Sequence, residues 1–290
     1  MRIVSLLASA TEIVCALGLA DQLVGVTPEC DWPSEIVGTA QMTRRIRDVG
    51  EAAFELDPDA LAAARPDLIL SRERSSGIAG GHRRVLEVAA EVAPHCSVVS
   101  LDPTSIEGVF NTIATVGAMT AAEDAALDVV EELRARLRET EGRVQERRTG
   151  GQPPVRVVAL ARLDPPFTVG DWIPEQIRRA GGWDLLGQDG GPSIETSWGV
   201  VRDVDPDMLI LMSGSRHLAA AIREWKGTSR PPSWQSLEAV RRRQVFAVDG
   251  PSYFGRPGPR VIDGIALLAE IFDPDGFVET SPVGSWTPLL

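Results

Sequence analysis

The three histidines are the first residues to consider as metal ligands or acid–base groups. None of them lies at the spacing of a zinc site with another histidine or a cysteine. His82 and His95 fall in or beside predicted helices, where an exposed or structural role is expected. His217 follows an apolar strand in "SGSRH", and ligands of parallel α/β sheets collect at the carboxyl ends of strands. We therefore predict that His217 contacts a ligand and that there is no structural zinc, while metal binding stays open.

The sequence lacks the common motifs of nucleophilic catalysis and nucleotide binding. It contains no G-x-S-x-G, no Walker A lysine pattern and no H-E-x-x-H. Glu29 and Asp171 could form an acid–base pair across the cleft between the two lobes, but the sequence does not place them relative to each other. We predict no catalytic residue and no nucleotide, and we count Glu29 and Asp171 as ligand contacts.

Several aromatic residues fall just after predicted strands or in loops rich in glycine and proline. A large flat ligand binds through apolar and stacking contacts, with a few polar groups that fix its orientation. "PPFTVGDW" is the clearest case, because its prolines stiffen the loop and Gly170 permits close backbone approach. The alternative is that these rings pack in the core, as we expect for Trp225 and Trp234. The predicted ligand contacts are Trp32, Phe167, Trp172, Trp198, Tyr253 and Phe254.

Hydroxyl and arginine side chains at strand ends add polar candidates. Ser9 and Thr11 in "ASATE" precede an apolar helix, and we favour an N-cap there. The same helix start could also offer its N–H groups to a ligand. Arg72 and Arg74 follow a predicted strand and suit an anionic or carbonyl-rich ligand, with an ordinary surface role as the alternative.

Similar sequence segments occur twice, once in each half of the chain. "RIVSLLAS" is echoed by "RVVALARL", "RPDLILS" by "DPDMLILMS", and "CSVVSLD" by "QVFAVDG". A single Pro-Asp-apolar phrase is a common start of a buried strand, but three matched segments in the same order indicate two similar lobes. Short apolar runs separated by helical segments predict βα units around mostly parallel sheets.

A long charged segment separates the two halves. Residues 120–148 keep one apolar helical face and almost lack proline and glycine, so they predict one long helix. We predict an N-terminal α/β lobe over residues 1–119, the connecting helix over 120–148, a C-terminal α/β lobe over 153–273 and a tail over 274–290. The architecture is two Rossmann-like lobes joined by one helix, and a cleft between such lobes is a favoured ligand site.

Composition limits the partners. The net charge is −12 and the pI about 4.8, which argues against nucleic acid and anionic membranes as partners. The N-terminal segment reads as strand, turn and helix rather than as a secretory signal, and no apolar run approaches the length of a membrane span. Three cysteines without a C-x-x-C pair fit a reducing compartment. We therefore expect a cytoplasmic protein whose partner is a small molecule.

Three segments resemble the cobalamin-binding relatives of the vitamin B12 periplasmic binding protein. They are "MRIVSLLASATEIVCALGLADQLVGVTPECDWP", "LDPPFTVGDWIPEQIRRAGGWDLLG" and "YFGRPGPRVIDGIALLAEIF". The resemblance covers residues 1 to about 273. It implies the class III substrate-binding fold, also called the helical backbone metal receptor type, which carries corrinoids, haem, siderophores or metal ions. It implies cobalamin as the ligand, held flat between the lobes, and it adds Arg256 to the ligand contacts.

The sequence also departs from this family. Many relatives have histidine where this chain has Pro28, and cysteines where it has "SRERSSGIAGG". Transport-type relatives carry a glutamate on each lobe that docks onto the membrane permease. The corresponding residues here are Asp59 and, by its spacing to Pro206, Gly199. Glycine offers no carboxylate, so docking to an ABC permease is not expected.

These observations predict a binding protein for a corrinoid or similar tetrapyrrole, without catalysis or transport of its own. The first alternative is an enzyme or biosynthetic accessory protein that reuses the same cleft for another small molecule, which the missing histidine and cysteines would favour. The second is a carrier of haem, a siderophore or a metal ion, which lacks the expected histidine cluster.

Overall fold

The computed structural model describes residues 1–46, 54–73, 77–278 and 281–290. The chain divides into two compact units. Unit 1 contains Met1–Asp102 and Phe110–Glu131, and unit 2 contains Pro103–Val109 and Glu132–Leu290. Each unit has its own mainly parallel sheet.

The strands are short, apart from the first strand of unit 2. They are β1 (Ile3–Ser5), β2 (Leu23–Gly25), β3 (Thr43–Arg45), β4 (Phe54–Leu56), β5 (Leu68–Ser71), β6 (Ser97–Ser100), β7 (Val155–Leu163), β8 (Pro166–Thr168), β9 (Gly182–Asp184), β10 (Met208–Leu211), β11 (Val245–Val248) and β12 (Trp286–Pro288).

The α-helices separate these strands along the chain. They are α1 (Ala8–Ala16), α2 (Pro58–Ala64), α3 (Gly81–Val92), α4 (Ile106–Met119), α5 (Glu123–Thr149), α6 (Ile173–Arg179), α7 (Trp198–Val204), α8 (Leu218–Gly227), α9 (Glu238–Arg241), α10 (Gly250–Tyr253) and α11 (Val261–Phe272).

Unit 1 is built on the sheet order β2-β1-β5-β6, in which every pair is parallel. Strands β3 and β4 form a separate antiparallel pair. β1 and β5 are buried along their whole length, which explains why they read as apolar runs without alternation. The apolar core of this unit includes Leu61, Ile69 and Val85, from α2, β5 and α3.

Unit 2 has the order β12-β11-β10-β7-β8, and β9 pairs with β7. β7, β9, β10 and β11 run parallel, whereas β8 and β12 are antiparallel to their partners. Its core includes Val158, Leu209 and Ala247 from adjacent strands, with Trp225 and Trp234 packed against them.

The aspartate of the repeated Pro-Asp segment makes the same hydrogen bonds in both units. In unit 1, the carboxylate of Asp67 accepts a hydrogen bond from Arg2 N at 2.7 Å, and Asp67 N donates to Arg2 O at 2.8 Å. In unit 2, Asp207 makes the same pair of bonds to Arg156, at 3.3 and 2.8 Å. In each case the aspartate joins the start of its own strand to the start of the neighbouring parallel strand.

The helix before each phrase also ends in the same way. α2 stops at Arg65 and α7 at Asp205, both in the left-handed conformation with φ of 45° and 39°. Arg2 Nε then donates to the carbonyl of Ala64, and the Arg156 guanidinium donates to the carbonyl of Val204. These bonds satisfy helix carbonyls that have no partner within the helix. The predicted architecture of two α/β lobes is therefore confirmed.

Two local predictions were wrong. Ser9 and Thr11 do not cap α1, because the helix begins at Ala8 after Leu7, and Leu7 makes no side-chain cap. The segment predicted as a tail also contributes structure, since β12 pairs antiparallel with β11 and Trp286 packs edge-on against Phe246. The long helix predicted over residues 120–148 is observed as α5. None of the helices in the described residues has the length and apolarity needed to cross a membrane.

Candidate functional site

Hydroxyl side chains gather at the carboxyl ends of the unit 1 strands. Thr11 Oγ1 donates to Ser5 Oγ at 2.9 Å and lies 3.0 Å from Cys30 Sγ. Thr11 is fully buried, and Ser9 is only 7 % exposed. The Thr11 hydroxyl therefore ties the end of β1 and α1 to the loop that follows β2. This internal role explains Thr11 without a ligand contact, which is a correction to its predicted role.

That loop carries the most exposed of the predicted aromatic contacts. It leaves the carboxyl end of β2, and a turn from Thr27 to Cys30 leads to Trp32. Trp32 is 50 % exposed, and Glu29 is exposed nearby in the sequence. A half-exposed indole in a loop that follows a strand's carboxyl end offers part of its face for stacking on a flat ligand.

A polar network follows β5 and β6. Arg72 Nε lies 3.5 Å from Asp102 Oδ1, and Ser100 Oγ donates to the same carboxylate at 2.5 Å. Glu73 N donates to Ser100 Oγ at 2.8 Å. The Arg72 side chain is 16 % exposed, so Asp102 holds it close to the surface at this edge. Arg74, which the sequence also suggested, lies outside the described residues.

The two histidines of unit 1, His82 and His95, lie at different places. His82 is half-buried and its Nδ1 lies 2.6 Å from the buried Ser71 Oγ, at the end of β5. His95 is exposed in the connection between α3 and β6. The bond to Ser71 gives His82 a structural partner.

In unit 2, the "PPFTVGDW" segment forms β8 and the turn into α6. The Arg162 guanidinium lies 4.2 Å from the centre of the half-buried Phe167 ring. Asp171 has φ of 52°, and its N–H donates to Gly191 O at 2.6 Å. Gly170 is required here because a side chain would strike the backbone of residues 191–193. The turn is therefore held by backbone contacts.

Trp172 and Phe254 do not have the predicted exposure. Trp172 is 3 % exposed and Phe254 is fully buried. The indole Nε1 of Trp172 donates to Phe254 O at 3.0 Å, which satisfies its one donor inside the core. A ring without an exposed face cannot stack on a ligand, so these two residues support the site by packing, contrary to the prediction.

Trp198 also packs against protein. It is partly buried at the start of α7, and its ring meets Trp234 edge-on with centroids 5.7 Å apart. Trp234 in turn packs on Trp225 at 5.3 Å, and the Arg230 guanidinium lies 3.6 Å from the Trp225 ring centre. This aromatic cluster gives Trp198 a packing role beside the unit 2 core, and its ligand contact stays a prediction.

The carboxyl ends of β10 and β11 bring together the other unit 2 candidates. His217 Nδ1 lies 2.9 Å from Asp249 Oδ1, and Ser252 Oγ donates to Asp249 Oδ2 at 2.8 Å. Tyr253 is half-buried at the end of α10, and Arg256 is half-buried three residues later. The sequence pointed to His217, Tyr253 and Arg256, but it gave no sign that Asp249 would bond to His217.

The most perturbed acid in unit 2 was not singled out from the sequence. Asp184 ends β9 and is 8 % exposed. Burial raises its pKa from 3.8 to about 6, although the amides of Leu186, Gly187 and Ala159 favour the charged form. Leu186 N donates to Oδ1 at 3.2 Å, whereas Oδ2 has no bond of good geometry within the described residues. A single aspartate after apolar residues carries no sequence signal of burial.

Metal ligands do not form a cluster in the part of the chain that the structure describes. No group of three or more His, Cys, Asp or Glu side chains there is arranged to hold a metal ion. The candidate site residues instead form two sets. In unit 1 they follow β2, β5 and β6, and in unit 2 they follow β8, β10 and β11.

Comparison with known proteins gives one family. A family model described as "Periplasmic binding protein" matches residues 3–251. An uncharacterised ABC transporter substrate-binding lipoprotein, YvrC of Bacillus subtilis, is 25 % identical over 284 residues, covering 96 % of this chain and 82 % of the relative. A vitamin B12-binding protein of Vibrio cholerae is 24 % identical over 272 residues, covering 91 % and 86 %.

Solved structures share the fold. The periplasmic vitamin B12-binding protein of Vibrio cholerae has a TM-score of 0.70 at 21 % identity, over 94 % of this chain and 96 % of that one. A periplasmic heme-binding protein of Pseudomonas aeruginosa has a TM-score of 0.74 at 21 % identity, over 94 % and 93 %. The two-lobed binding-protein fold is confirmed, and structural likeness at this identity carries no ligand assignment.

The expectation of a cytoplasmic protein was wrong. The similar proteins are named as a substrate-binding lipoprotein and as periplasmic proteins, which work outside the cytoplasm. The pattern of the N-terminal segment and the unpaired cysteines were weak evidence for a cytoplasmic location. An unpaired cysteine does not exclude an oxidising compartment, because burial can keep a thiol inert.

Proposed function

The chain belongs to the periplasmic binding protein family, and on that premise we propose that it is an extracytoplasmic binding protein for a corrinoid. The observation that carries the ligand class is the half-exposed indole of Trp32, in the loop that follows β2 in unit 1. A vitamin B12-binding relative that aligns with 91 % of the chain supports the same class. A corrinoid offers a flat apolar face for stacking and peripheral amides for hydrogen bonds.

We propose that the unit 1 contacts are Trp32, Arg72 and Glu29. Trp32 would stack on the macrocycle, while Arg72 would donate to amide carbonyls of its periphery. Asp102 keeps the Arg72 guanidinium in place, so less side-chain entropy is lost when a ligand binds.

The unit 2 contacts in this proposal are Phe167, Tyr253, Arg256, Asp171 and His217. Phe167 and Tyr253 are half-buried, which leaves part of each ring accessible. Guanidinium groups lie close to both rings, with Arg162 at 4.2 Å from Phe167 and Arg260 at 5.9 Å from Tyr253. Such contacts restrict ring motion and pre-organise the aromatic surface.

Delivery to an ABC permease is the family's role, and we propose that this chain docks weakly. Asp59 and Gly199 are each the second residue of corresponding helices, α2 and α7. Asp59 is exposed and can supply a carboxylate, although one methylene shorter than glutamate. Gly199 supplies none. The absence of one of two charge-assisted contacts costs about 1.5–3 kcal/mol, or roughly ten- to a hundredfold in affinity.

Equilibrium dialysis against cyanocobalamin tests the ligand assignment. We expect saturable binding of one cobalamin per chain at micromolar concentration. Trp32→Ala should weaken binding by about 1 kcal/mol, or roughly fivefold, because it removes one stacking face. The absorbance of the corrinoid reports binding directly, so the loss of a tryptophan does not affect the readout.

Trp183→Ala is the matched control. Trp183 lies on β9 and is 59 % exposed, close to the exposure of Trp32, but it is not among the proposed contacts. Equal weakening by the two substitutions would mean that Trp32 has no particular role. Absence of saturable cobalamin binding to the wild-type protein would reject the corrinoid assignment and favour haem or a siderophore.

A further inference from the structure

Three side chains of unit 2 form a row across the β7–β8 hairpin and the segment beside it. Arg162 on β7 is the cross-strand partner of Phe167 on β8, and Phe167 also forms an antiparallel bridge with Glu195. Residues that lie directly opposite each other on antiparallel strands share one face of a sheet. The three side chains therefore lie on the same face, with the aromatic ring in the middle.

The backbone holds this row in register. Two hydrogen bonds of 2.9 Å flank the Phe167–Glu195 bridge: Thr168 N donates to Ile194 O, and Thr196 N donates to Pro166 O. Phe167 and Glu195 are thus a non-hydrogen-bonded pair, the kind in which opposite side chains come closest. Neighbouring strands lie about 4.8 Å apart, so Arg162 and Glu195 leave backbones roughly 10 Å apart, one on each side of the ring.

The two charged side chains differ in the hydrogen bonds that they can make. Arg162 is exposed, its guanidinium lies 4.2 Å from the Phe167 ring centre, and its Nε donates to Pro165 O at 3.2 Å. Glu195 is exposed, and its carboxylate has no hydrogen bond or ion pair within the described residues. A guanidinium only donates and an ionised carboxylate only accepts. The half-buried ring therefore separates a donor from an acceptor.

This row matches the edge of a macrocycle that carries carboxamides. A primary amide has an oxygen that accepts hydrogen bonds and an NH2 group that donates them. Corrinoids bear several such amides around the ring, whereas haem bears two carboxylates. An amide can donate to Glu195 and accept from Arg162. A carboxylate beside Glu195 meets a like charge and has no proton to donate.

The two charges also have a simpler explanation. β8 is the last strand in the order of the unit 2 sheet, and charged side chains near a sheet edge discourage pairing with another chain. That role depends on charge and is the same whichever ligand is present. A dependence on the hydrogen-bonding groups of the ligand therefore separates the two roles.

We propose that Arg162 and Glu195 are specificity-determining residues that select a macrocycle with carboxamide substituents. Arg162 donates to amide oxygens and Glu195 accepts from amide NH2 groups, while Phe167 packs against the apolar part of the ring. This inference rests on the proposed function, because it requires Phe167 to contact the ligand. The same pair discriminates against haem, whose carboxylates Glu195 repels.

Two corrinoids that differ only in their peripheral groups and axial tail test this inference. Dicyanocobinamide carries amides, whereas dicyanocobyrinic acid heptamethyl ester carries esters, which accept hydrogen bonds but have no N–H to donate. Both would be measured by equilibrium dialysis in the same cyanide buffer, so cobalt is blocked in both. Haemin would be measured in a buffer without cyanide. The variants are Arg162→Met, Glu195→Ala and Glu195→Lys.

Two matched control variants lie elsewhere in unit 2. Glu139→Lys changes the net charge by the same amount as Glu195→Lys, and Glu139 is exposed on α5. Arg143→Met removes a guanidinium that lies 4.3 Å from the centre of the Phe277 ring, as Arg162 lies 4.2 Å from that of Phe167. Neither control should change the affinity for any of the three probes by more than about twofold.

We expect Glu195→Ala to bind dicyanocobinamide about tenfold more weakly and the heptamethyl ester as well as the wild type does, because only the amide donates to Glu195. Arg162→Met should weaken the binding of both corrinoids about tenfold, because both offer carbonyl oxygens. Glu195→Lys should bind haemin at least fivefold more tightly than the wild type. The comparison of amide with ester is made within one variant, so a change in folding does not affect it.

Equal weakening of both corrinoids by Glu195→Ala would overturn the inference, as would unchanged binding of dicyanocobinamide by Arg162→Met and Glu195→Ala. Equal gains in haemin affinity from Glu195→Lys and Glu139→Lys would attribute the effect to net charge and would also overturn it. In each of these cases the proposed function stands. Failure of the wild-type protein to bind dicyanocobinamide and cyanocobalamin would instead reject the proposed corrinoid function, and this inference with it.

Discussion

Replacing Asp184 with asparagine should stabilise the protein at pH 8 and leave its stability near pH 4 almost unchanged. Asp184 is 8 % exposed, and burial raises its pKa from 3.8 to about 6. The folded state therefore binds the Asp184 proton more tightly than the unfolded state does. The stability that comes from this proton is complete below about pH 4 and is lost as the pH rises through 6.

The size of the effect follows from the pKa difference. A shift from 3.8 to about 6 corresponds to roughly 3 kcal/mol, at about 1.4 kcal/mol for each pKa unit. The carboxylate form should cost about that much above pH 7. Asparagine resembles the protonated acid and can keep the bond from Leu186 N, so Asp184→Asn should recover up to about 3 kcal/mol at pH 8.

Urea unfolding at several pH values measures this directly. The quantity to compare is the difference in free energy of unfolding between Asp184→Asn and wild type, because other carboxylates affect both proteins equally. Asp203→Asn is the control, since Asp203 pairs with Arg202 at the surface and should matter by less than about 1 kcal/mol. A difference that stays constant from pH 4 to 8, or a variant that is destabilised at pH 8, would refute the reasoning.

Three further substitutions test the architecture and its role. Trp172→Ala should destabilise the fold by about 3–5 kcal/mol in urea unfolding, because it empties a buried site and removes the bond to Phe254 O; a change below about 1 kcal/mol would contradict this. Asp67→Ala and Asp207→Ala should each lower the melting temperature by the equivalent of about 1 kcal/mol, because both remove a bond to the neighbouring strand; an effect at only one of them would show that the two phrases are not equivalent. Gly199→Glu should strengthen binding to a reconstituted permease about tenfold, because it supplies the missing second carboxylate. The fold should accept the new side chain, since a Cβ at this position would meet only Ser197 Oγ, at an ordinary 3.5 Å. Unchanged binding would show that the docking position lies elsewhere.

The sequence was sufficient for the architecture because its periodic features are local. Buried parallel strands such as β5 and β10 read as unbroken apolar runs, and the Pro-Asp phrases mark their starts. The bonds from Asp67 and Asp207 to the adjacent strands explain why the phrase recurs at the same point of each unit. The sequence repeat therefore reflects the same pairing of two parallel strand starts in each unit.

The site was harder to predict because exposure depends on tertiary packing. Trp32 and Trp172 both lie in proline-containing loops, yet one is 50 % exposed and the other 3 %. The buried indole of Trp172 donates to Phe254 O, 82 residues away, and the local sequence does not indicate this partner. His217 and Asp249 likewise meet only because β10 and β11 are neighbours in the sheet. Such pairings depend on the tertiary fold, and the local sequence around each residue does not indicate them.

Calorimetric titration of one protein preparation with three ligands tests the central claim most directly. Cyanocobalamin, haemin and a ferric hydroxamate represent the ligand classes under comparison. The account predicts one cobalamin bound per chain with micromolar or tighter affinity, and at least tenfold weaker binding of the other two. Saturable binding of haemin or of the hydroxamate without measurable binding of cobalamin would contradict it.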